Sequence, residues 1–452
     1  MKRNDTYGVK PFTEPVNGAC VTPPGSKSIT NRALVFAALN HDAITLENAL
    51  FSRDTRIMVA CLRQLGIEIV TDESQKRIQV NGCDGTIPIR EARLNVGNAG
   101  TAARFLTALI CLHEGGYYYI DGDEEMRKRP MSGLLNALEE AGAARVKYHG
   151  VTGHMPYSVQ TQGLKGGEIQ LDASASSQML SALLMIAPFA KSPVSIKLKS
   201  KTVSQPFVNM TQQMMQFFGY SQFREHQNGL IYTCQPVDRP YYACMPISPN
   251  VYRIEPDATA ASYFLVLPIA AGGHIEVTLP ANSLQGDTGF ATVLNTHWKN
   301  CRRLTGIISV KVPSQHPPLP GIEADFNAIS DTFLTIAAIA PLLNGPTTIT
   351  GIGHTRHQET DRIAAMAKEL QKLGQGVEEG ADWLRITPRP LQPATIETYN
   401  DHRIAMSFAI LGCTNLNRDG SSWLALKNPE CCEKTFPEFF DKLEALREAN
   451  HS

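Results

Sequence analysis

Two short strings in the chain put a carboxylate and an arginine together where a turn passes into a helix: Glu359-Thr360-Asp361-Arg362 and Tyr399-Asn400-Asp401-His402-Arg403. An arginine fork holds a carboxylate or phosphate through two parallel hydrogen bonds, while a neighbouring carboxylate can take or release a proton. With Lys434 in Glu-Lys-Thr-Phe-Pro, such arginines make a clamp for a small polyanion. A third basic cluster, DEEMRKRP from Asp123 to Pro130, precedes a helix expected to start near Pro130. A charge run of this kind is by itself a solvated face. Near the beginning, PPGSKS invites comparison with a phosphate-cradling loop, but Ser26 separates Gly25 from Lys27 and position 20 is Cys, so the nucleotide-binding pattern is not met. Lys27 can still reach an anion as a point charge at a helix start.

Other chemistries find no support. His354, His357 and His402 lack metal-ligand spacing on one helix. No Gly-x-Ser-x-Gly elbow occurs and no Gly-x-Gly-x-x-Gly follows a strand, so hydrolase and dinucleotide readings are weak.

The residues that could do chemistry sit at the starts of six similar helices. Their strings are GSKSITNRALVFAAL, GNAGTAARFLTALI, SASSQMLSALLMIA, EPDATAASYFLVLPIA, SDTFLTIAAIAPLL and YNDHRIAMSFAILG. Helices apolar around most of their circumference belong inside a protein. Their N-termini carry unpaired N–H groups and the positive end of the helix dipole, which favours anions. Lys27, Ser28 and Arg32 flank the first start, Asn98, Thr101 and Arg104 the second, Ser176, Ser177 and Gln178 the third. Asp257, Asp331 and Asp401 open the other three. The asymmetry suggests two halves facing each other across a site that holds phosphate and performs proton transfer.

A second repeat runs in phase with the first: an amphipathic helix closed by glycine at Gly66, Gly142, Gly219 and Gly374, recurring about every 76 residues or a multiple of it. A further copy is due in FATVLNTHWKNCRRL, where the glycine is lost. Alternating runs such as SPVSIKLKS, HIEVTL and TTITGI supply strands. Six α/β units grouped three and three is the economical architecture; an ordinary doubly wound α/β enzyme is the alternative.

Bulk properties agree with a self-sufficient globular chain. Its 452 residues are 43% hydrophobic, and 42 Lys+Arg balance 43 Asp+Glu. There is no basic excess for nucleic acid and no apolar run of the length a membrane span needs. Ten cysteines without a C-x-x-C pair, and an opening segment without the apolar core of a signal peptide, point to a reduced, cytoplasmic protein.

Taken in order, GSKSITNRAL, GNAGTAARF, RKRPM, SSQMLSALLM, EPDATAASYFL, LQGD, ETDRI, YNDHRIAMS and EKTFP resemble the 3-phosphoshikimate 1-carboxyvinyltransferase (5-enolpyruvylshikimate-3-phosphate synthase) family, from about Pro23 to about Phe440. The resemblance implies an α/β fold of two similar domains, each of three βαβαββ units with buried helices, the inside-out α/β barrel of enolpyruvyl transferases. It implies an N-terminal domain over 23–243 and a C-terminal domain of 1–22 plus 244–452, with crossings near 22–24 and 235–249. It implies transfer of the enolpyruvyl group of phosphoenolpyruvate to the 5-hydroxyl of shikimate 3-phosphate, a step of aromatic amino acid and chorismate biosynthesis. No metal or organic cofactor, nucleic acid or membrane is involved, and family members are commonly monomers that close two domains over small-molecule substrates.

Carried over residue by residue, the resemblance makes Asp331 the general base, Glu359 the proton donor to the methylene carbon, and Lys27 a cation and proton relay beside them. Lys27, Asn98, Gly100, Thr101, Arg129, Gln178, Arg362, Arg403 and Lys434 match the phosphoenolpyruvate contacts. Lys27, Ser28, Arg32, Ser176, Ser177, Gln178, Ser204, Asp331, His354 and Gln358 match those to shikimate 3-phosphate. Phe207 stands where a Tyr is frequent, and His354 and Gln358 replace the frequent Asn and Lys, so Gln358 is expected to donate a neutral hydrogen bond. The sister transferase acting on UDP-N-acetylglucosamine is disfavoured because DEEMRKRP lacks its loop cysteine. A non-catalytic sugar-phosphate-binding homologue would not need the acid/base pair.

Overall fold

The computed structural model describes residues 6–201, 204–220, 222–236, 250–312 and 318–449. They fall into two compact units, a central one of residues 25–254 and a terminal one of residues 1–24 with 255–452. Both are built from the repeat anticipated above. Three copies are contiguous in sequence. Residues 91–162 run strand Glu91–Asn95, helix Gly100–Ile110, strand Glu114–Asp121, helix Ser132–Glu140, then strands Ala144–Tyr148 and Tyr157–Gln162. The first two strands pair in parallel and the last two join them antiparallel. The same order and pairing recur over residues 167–234 and 323–387.

The remaining copies borrow strands from elsewhere in the chain. The sheet that follows the Lys27–Leu39 helix takes Val251–Arg253 as its parallel edge, beside Ala43–Glu47. In the terminal unit, Gly273–Thr278 pairs in parallel with Val16–Val21, and Leu424–Lys427 pairs with both Thr6–Gly8 and Ala394–Ile396. Among the described residues the last of the six sheets has three strands where the other five have four. Residues 237–249, in which the sequence places most of the second crossing, lie outside the described residues, as do 313–317 of the unassigned 300–320 segment. In that segment the expected strand Ile307–Val312 is present, and Cys301–Leu304 pairs with it.

Within each unit the apolar helices form the core. Gly100–Ile110 is buried along its whole length, and Lys27–Leu39 from Ile29 onward. Each fully buried Phe, Leu or Ile contributes about 1.5–3 kcal/mol. The sheets cover them with one face, as the alternation in Ala43–Glu47, Arg77–Asn81 and Val194–Leu198 shows. The second helix of each repeat is amphipathic and only half buried; Arg53–Gln64 and Arg362–Lys372 are examples. Among the described residues no helix is long and apolar enough to cross a membrane.

The repeat glycines work as their spacing predicts. Gly66, Gly142, Gly219 and Gly374 all have positive φ, which lets the chain leave a helix and enter a strand. In the degenerate copy the helix Gly289–Trp298 ends on Lys299 at φ 54°. A lysine takes the left-handed conformation that glycine supplies elsewhere, at a cost on the order of 1 kcal/mol. Lys299→Gly should therefore raise stability by a few tenths to about 1 kcal/mol, read as a higher denaturant midpoint at unchanged m value.

Candidate active site

In the central unit, hydrogen bonds gather the starts of the buried helices around Arg32. Its side chain lies one turn inside the Lys27–Leu39 helix and is only 1% exposed. Nε donates to Thr211 Oγ1 at 2.8 Å, Nη2 to Ser181 Oγ and the Phe207 carbonyl at 3.2 Å each, and Nη1 to the Ser28 carbonyl at 3.0 Å. Its guanidinium also stacks on Phe105 and Phe207. Without a carboxylate beside it, burial lowers its pKa to about 9. Arg32, which the resemblance matches to a shikimate 3-phosphate contact, ties four helices together beneath Lys27 and Ser28.

Lys27 opens the first helix and lies 3.4 Å from the buried Asp54 carboxylate. Asn31 donates to Thr101 Oγ1 at 2.7 Å, which joins the first and second helix starts. Asn98 is buried in the turn before Gly100. Ser176 caps the third helix by accepting from the Gln178 N–H, and Ser177 and Gln178 form its first turn. Ser204 precedes the Gln205–Phe217 helix at φ 52°.

The basic cluster 127–129 divides by partner. Arg127 pairs with Asp121 and Lys128 with Glu125, both at the surface. Arg129 does not: among the described residues its Nε and Nη1 are buried without a hydrogen-bond partner. The helix expected near Pro130 begins at Ser132, and a single turn, Glu124–Arg127, precedes it. Arg104 Nη2 holds the Pro130 carbonyl at 2.9 Å and so fixes the loop that carries Arg129. Gly100 makes room for this guanidinium, because a Cβ built there would lie 2.8 Å from both Nη atoms. Buried donors without a partner beside a helix N-terminus are groups of the kind that bind anions.

In the terminal unit the hub is Arg362, 1% exposed at the first position of its helix. Nε donates to Asp401 Oδ2 at 2.8 Å, Nη1 to Asp331 Oδ1 at 3.1 Å and to Gln358 Oε1, and Nη2 to Glu359 Oε2 at 2.9 Å. Arg403 Nη2 reaches the other oxygen of Asp331 at 2.7 Å, and the buried Lys434 reaches the other oxygen of Glu359 at 3.0 Å. Burial opposes the charge on both arginines, but the carboxylates, Asp401 first for Arg362 and Asp331 first for Arg403, raise both above the ordinary arginine value. Asp401 also caps the His402–Gly412 helix through the Arg403 N–H at 2.9 Å. His354 lies 2.9 Å from Ser330 Oγ, and burial lowers its pKa, so its ring is neutral at pH 7. Gln358 gives its carbonyl oxygen to Arg362, which leaves its amide N–H groups as donors.

The structure thus brings the expected residues together as two sets, one in each unit. Asp257 serves as a helix cap, accepting from the Ala260 N–H at 2.8 Å. Two members were missed in the sequence: Asp54, the counter-charge of Lys27, and Asp287, buried in the LQGD string. An isolated acid on an amphipathic helix or a loop gives no sign that it is inside.

Repeated α/β units with anion-binding groups at the starts of buried helices, and an acid pair locked to arginine and lysine, define an enzyme for phosphate- and carboxylate-bearing substrates. The chain belongs to the EPSP synthase (3-phosphoshikimate 1-carboxyvinyltransferase) family, whose pattern matches residues 13–443. A relative from Opitutus terrae named 3-phosphoshikimate 1-carboxyvinyltransferase is 47% identical over 99% of both chains. One from Trichormus variabilis with the same name is 42% identical over 97% of this chain and 98% of its own. A solved EPSP synthase structure from Acinetobacter baumannii, 23% identical, superposes with a TM-score of 0.76 over 98% of each chain, which shows the shared fold.

Gly100→Ala should displace the Arg129 guanidinium rather than the backbone, since the far end of a flexible side chain gives way first. Phosphoenolpyruvate affinity is expected to fall by about tenfold or more, the worth of a charge-assisted hydrogen bond, at little change in melting temperature. Unchanged affinity in a calorimetric titration would remove Arg129 from the site.

Proposed function

We propose that this chain transfers the enolpyruvyl group of phosphoenolpyruvate to the 5-hydroxyl of shikimate 3-phosphate, by addition and elimination, with release of inorganic phosphate. The observation that carries the reading is the acid pair Asp331 and Glu359, set on opposite arms of one buried guanidinium with Arg403 and Lys434 behind them. A simple anion binder has no use for carboxylates in its cationic pocket, because they oppose the ligand's charge. A proton-transferring site needs them.

In the addition step Asp331 takes the proton of the attacking hydroxyl, the new C–O bond forms at C2 of phosphoenolpyruvate, and Glu359 gives its proton to C3, making a methyl group. In the elimination step the C–O bond to phosphate breaks, Glu359 takes a C3 proton back, and the proton on Asp331 leaves with the phosphate. Glu359 must therefore enter protonated, although Arg362 and Lys434 hold it as a carboxylate in the unliganded protein. An anionic substrate that draws those two cations to itself removes what stabilises the charge on Glu359, so the proton is taken up together with the substrate. In the terminal unit Arg362, Arg403 and Lys434 are the cations for the phosphate and carboxylate of phosphoenolpyruvate; in the central unit the family resemblance carries the same role to Arg129 and Lys27. Asn98, Gly100, Thr101 and Gln178 position it.

For shikimate 3-phosphate the resemblance points to Lys27, Ser28, Arg32, Ser176, Ser177, Gln178 and Ser204 in the central unit, and to Asp331, His354 and Gln358 in the terminal unit. The family resemblance and the absence of a loop cysteine in DEEMRKRP favour this acceptor over UDP-N-acetylglucosamine. Free thiols at all nine described cysteines suit a reducing compartment, and we place the enzyme in the cytoplasm as a monomer.

Phosphate release from phosphoenolpyruvate is expected with shikimate 3-phosphate and not with UDP-N-acetylglucosamine; no turnover with the former sinks the proposal. Asp331→Asn and Glu359→Gln should lower kcat by about 100-fold or more while phosphoenolpyruvate still binds. If binding is lost instead and kcat is kept, the assigned roles are wrong.

A further inference from the structure

The loop Ser283–Thr288 carries an acid that the proposed mechanism does not use. Asp287 belongs to a single turn, Gly286–Thr288, packed against the start of the Ala258–Leu265 helix and against the turn that carries Asp331. The loop is tied down on all sides. Gln285 accepts the Ala258 N–H at 2.9 Å and donates to the Pro256 carbonyl at 2.7 Å, Glu255 accepts from Ser283 Oγ at 2.6 Å, and Arg303 holds the Thr288 carbonyl at 2.8 Å. Thr259 donates its hydroxyl to Asp287 Oδ2. No cation pairs directly with the carboxylate among the described residues, and the side chain is 7% exposed. The neighbouring charges come from three elements: Asp257 at the helix start, Asp331 on the Asn327–Thr332 turn, and Arg403 on the His402–Gly412 helix, with Asp331 the strongest after burial itself. Arg403 is shared, since both Asp331 and Asp287 act on it.

We propose that Asp287 is a positioning residue for the transfer reaction: a buried charge behind Asp331 that makes Asp331 a stronger proton acceptor toward the attacking hydroxyl. The inference rests on the function proposed above. Two arginines hold Asp331 as a carboxylate, which makes it a poor base. A second negative charge buried nearby opposes them and favours arrival of a proton on Asp331. Asp287 does not touch the substrate in this account. It acts as the carboxylate, exchanges protons with solvent only, and the proton of the hydroxyl goes to Asp331 alone. Burial, with the Asp331 charge next, pushes the Asp287 carboxyl up to about 7, while the Thr259 hydrogen bond lowers it. The aid to Asp331 is therefore absent in acid, where Asp287 is neutral, and present above neutrality.

The test is the pH profile of kcat at saturating substrates, beside KM and melting temperature. The wild type should show a rise in kcat as pH increases through about 7. In Asp287→Asn that rise should vanish and the plateau fall by about tenfold or more, with both KM values within about threefold. Thr259→Val, nearly isosteric, removes only the donor and should move the rise to higher pH; it decides the matter if Asp287→Asn does not fold. A wild-type-shaped profile in a folded Asp287→Asn, an unmoved rise in Thr259→Val, or losses that fall on KM alone would overturn the proposal. Absence of any wild-type turnover with shikimate 3-phosphate would instead reject the function, leaving the two failures distinguishable.

Discussion

The candidate site depends on burying one arginine among three carboxylates. Arg362 is 1% exposed, and Asp401, one of its partners, is fully buried. Removing one member of such a buried network costs about 3–5 kcal/mol, because the charge left behind has no solvent to turn to. Apolar residues of the same volume would fill the place with less penalty. The arrangement is explained better by chemistry than by stability. The planar fork of Arg362 holds Asp331 and Glu359 on separate nitrogens, so the proposed base and acid keep a fixed spacing.

Arg32 in the central unit shows what the same side chain does with other partners. It too is 1% exposed, but its neighbours are hydroxyls, carbonyls and aromatic faces. Burial lowers the pKa of Arg32, whereas carboxylates raise that of Arg362. One arginine gathers hydroxyls and carbonyls, the other carboxylates. Neutral partners lose no charge balance when a ligand arrives. Charged partners can be exchanged for those of an anionic substrate, and in the proposed mechanism that exchange accompanies proton uptake by Glu359.

Much of this architecture is written locally. Small residues at a helix start, followed by ten or so apolar positions, specify a helix that must be inside, and six such strings yield six units. The turn glycines mark the period because positive φ is a property of a single residue. Lys299 shows the limit, since the surrounding repeat imposes the conformation after the glycine is gone. What was not legible depends on contacts remote in sequence. The edge strands Val16–Val21 and Val251–Arg253 join sheets formed by segments far along the chain. Asp54, Asp287 and the inward use of Arg32 follow from packing, which no local pattern encodes. Cys431 and Cys432 are adjacent and buried, and burial raises the Cys432 thiol well above its ordinary value.

In the proposed mechanism the Arg362 fork, and not merely a positive charge, aligns the acid and the base. Arg362→Lys keeps the charge but replaces the fork by a single point. The account predicts a cooperative melt and native circular dichroism, with enolpyruvyl transfer to shikimate 3-phosphate reduced by about 100-fold or more. A folded Arg362→Lys protein whose kcat stays within a few-fold of the parent would contradict it.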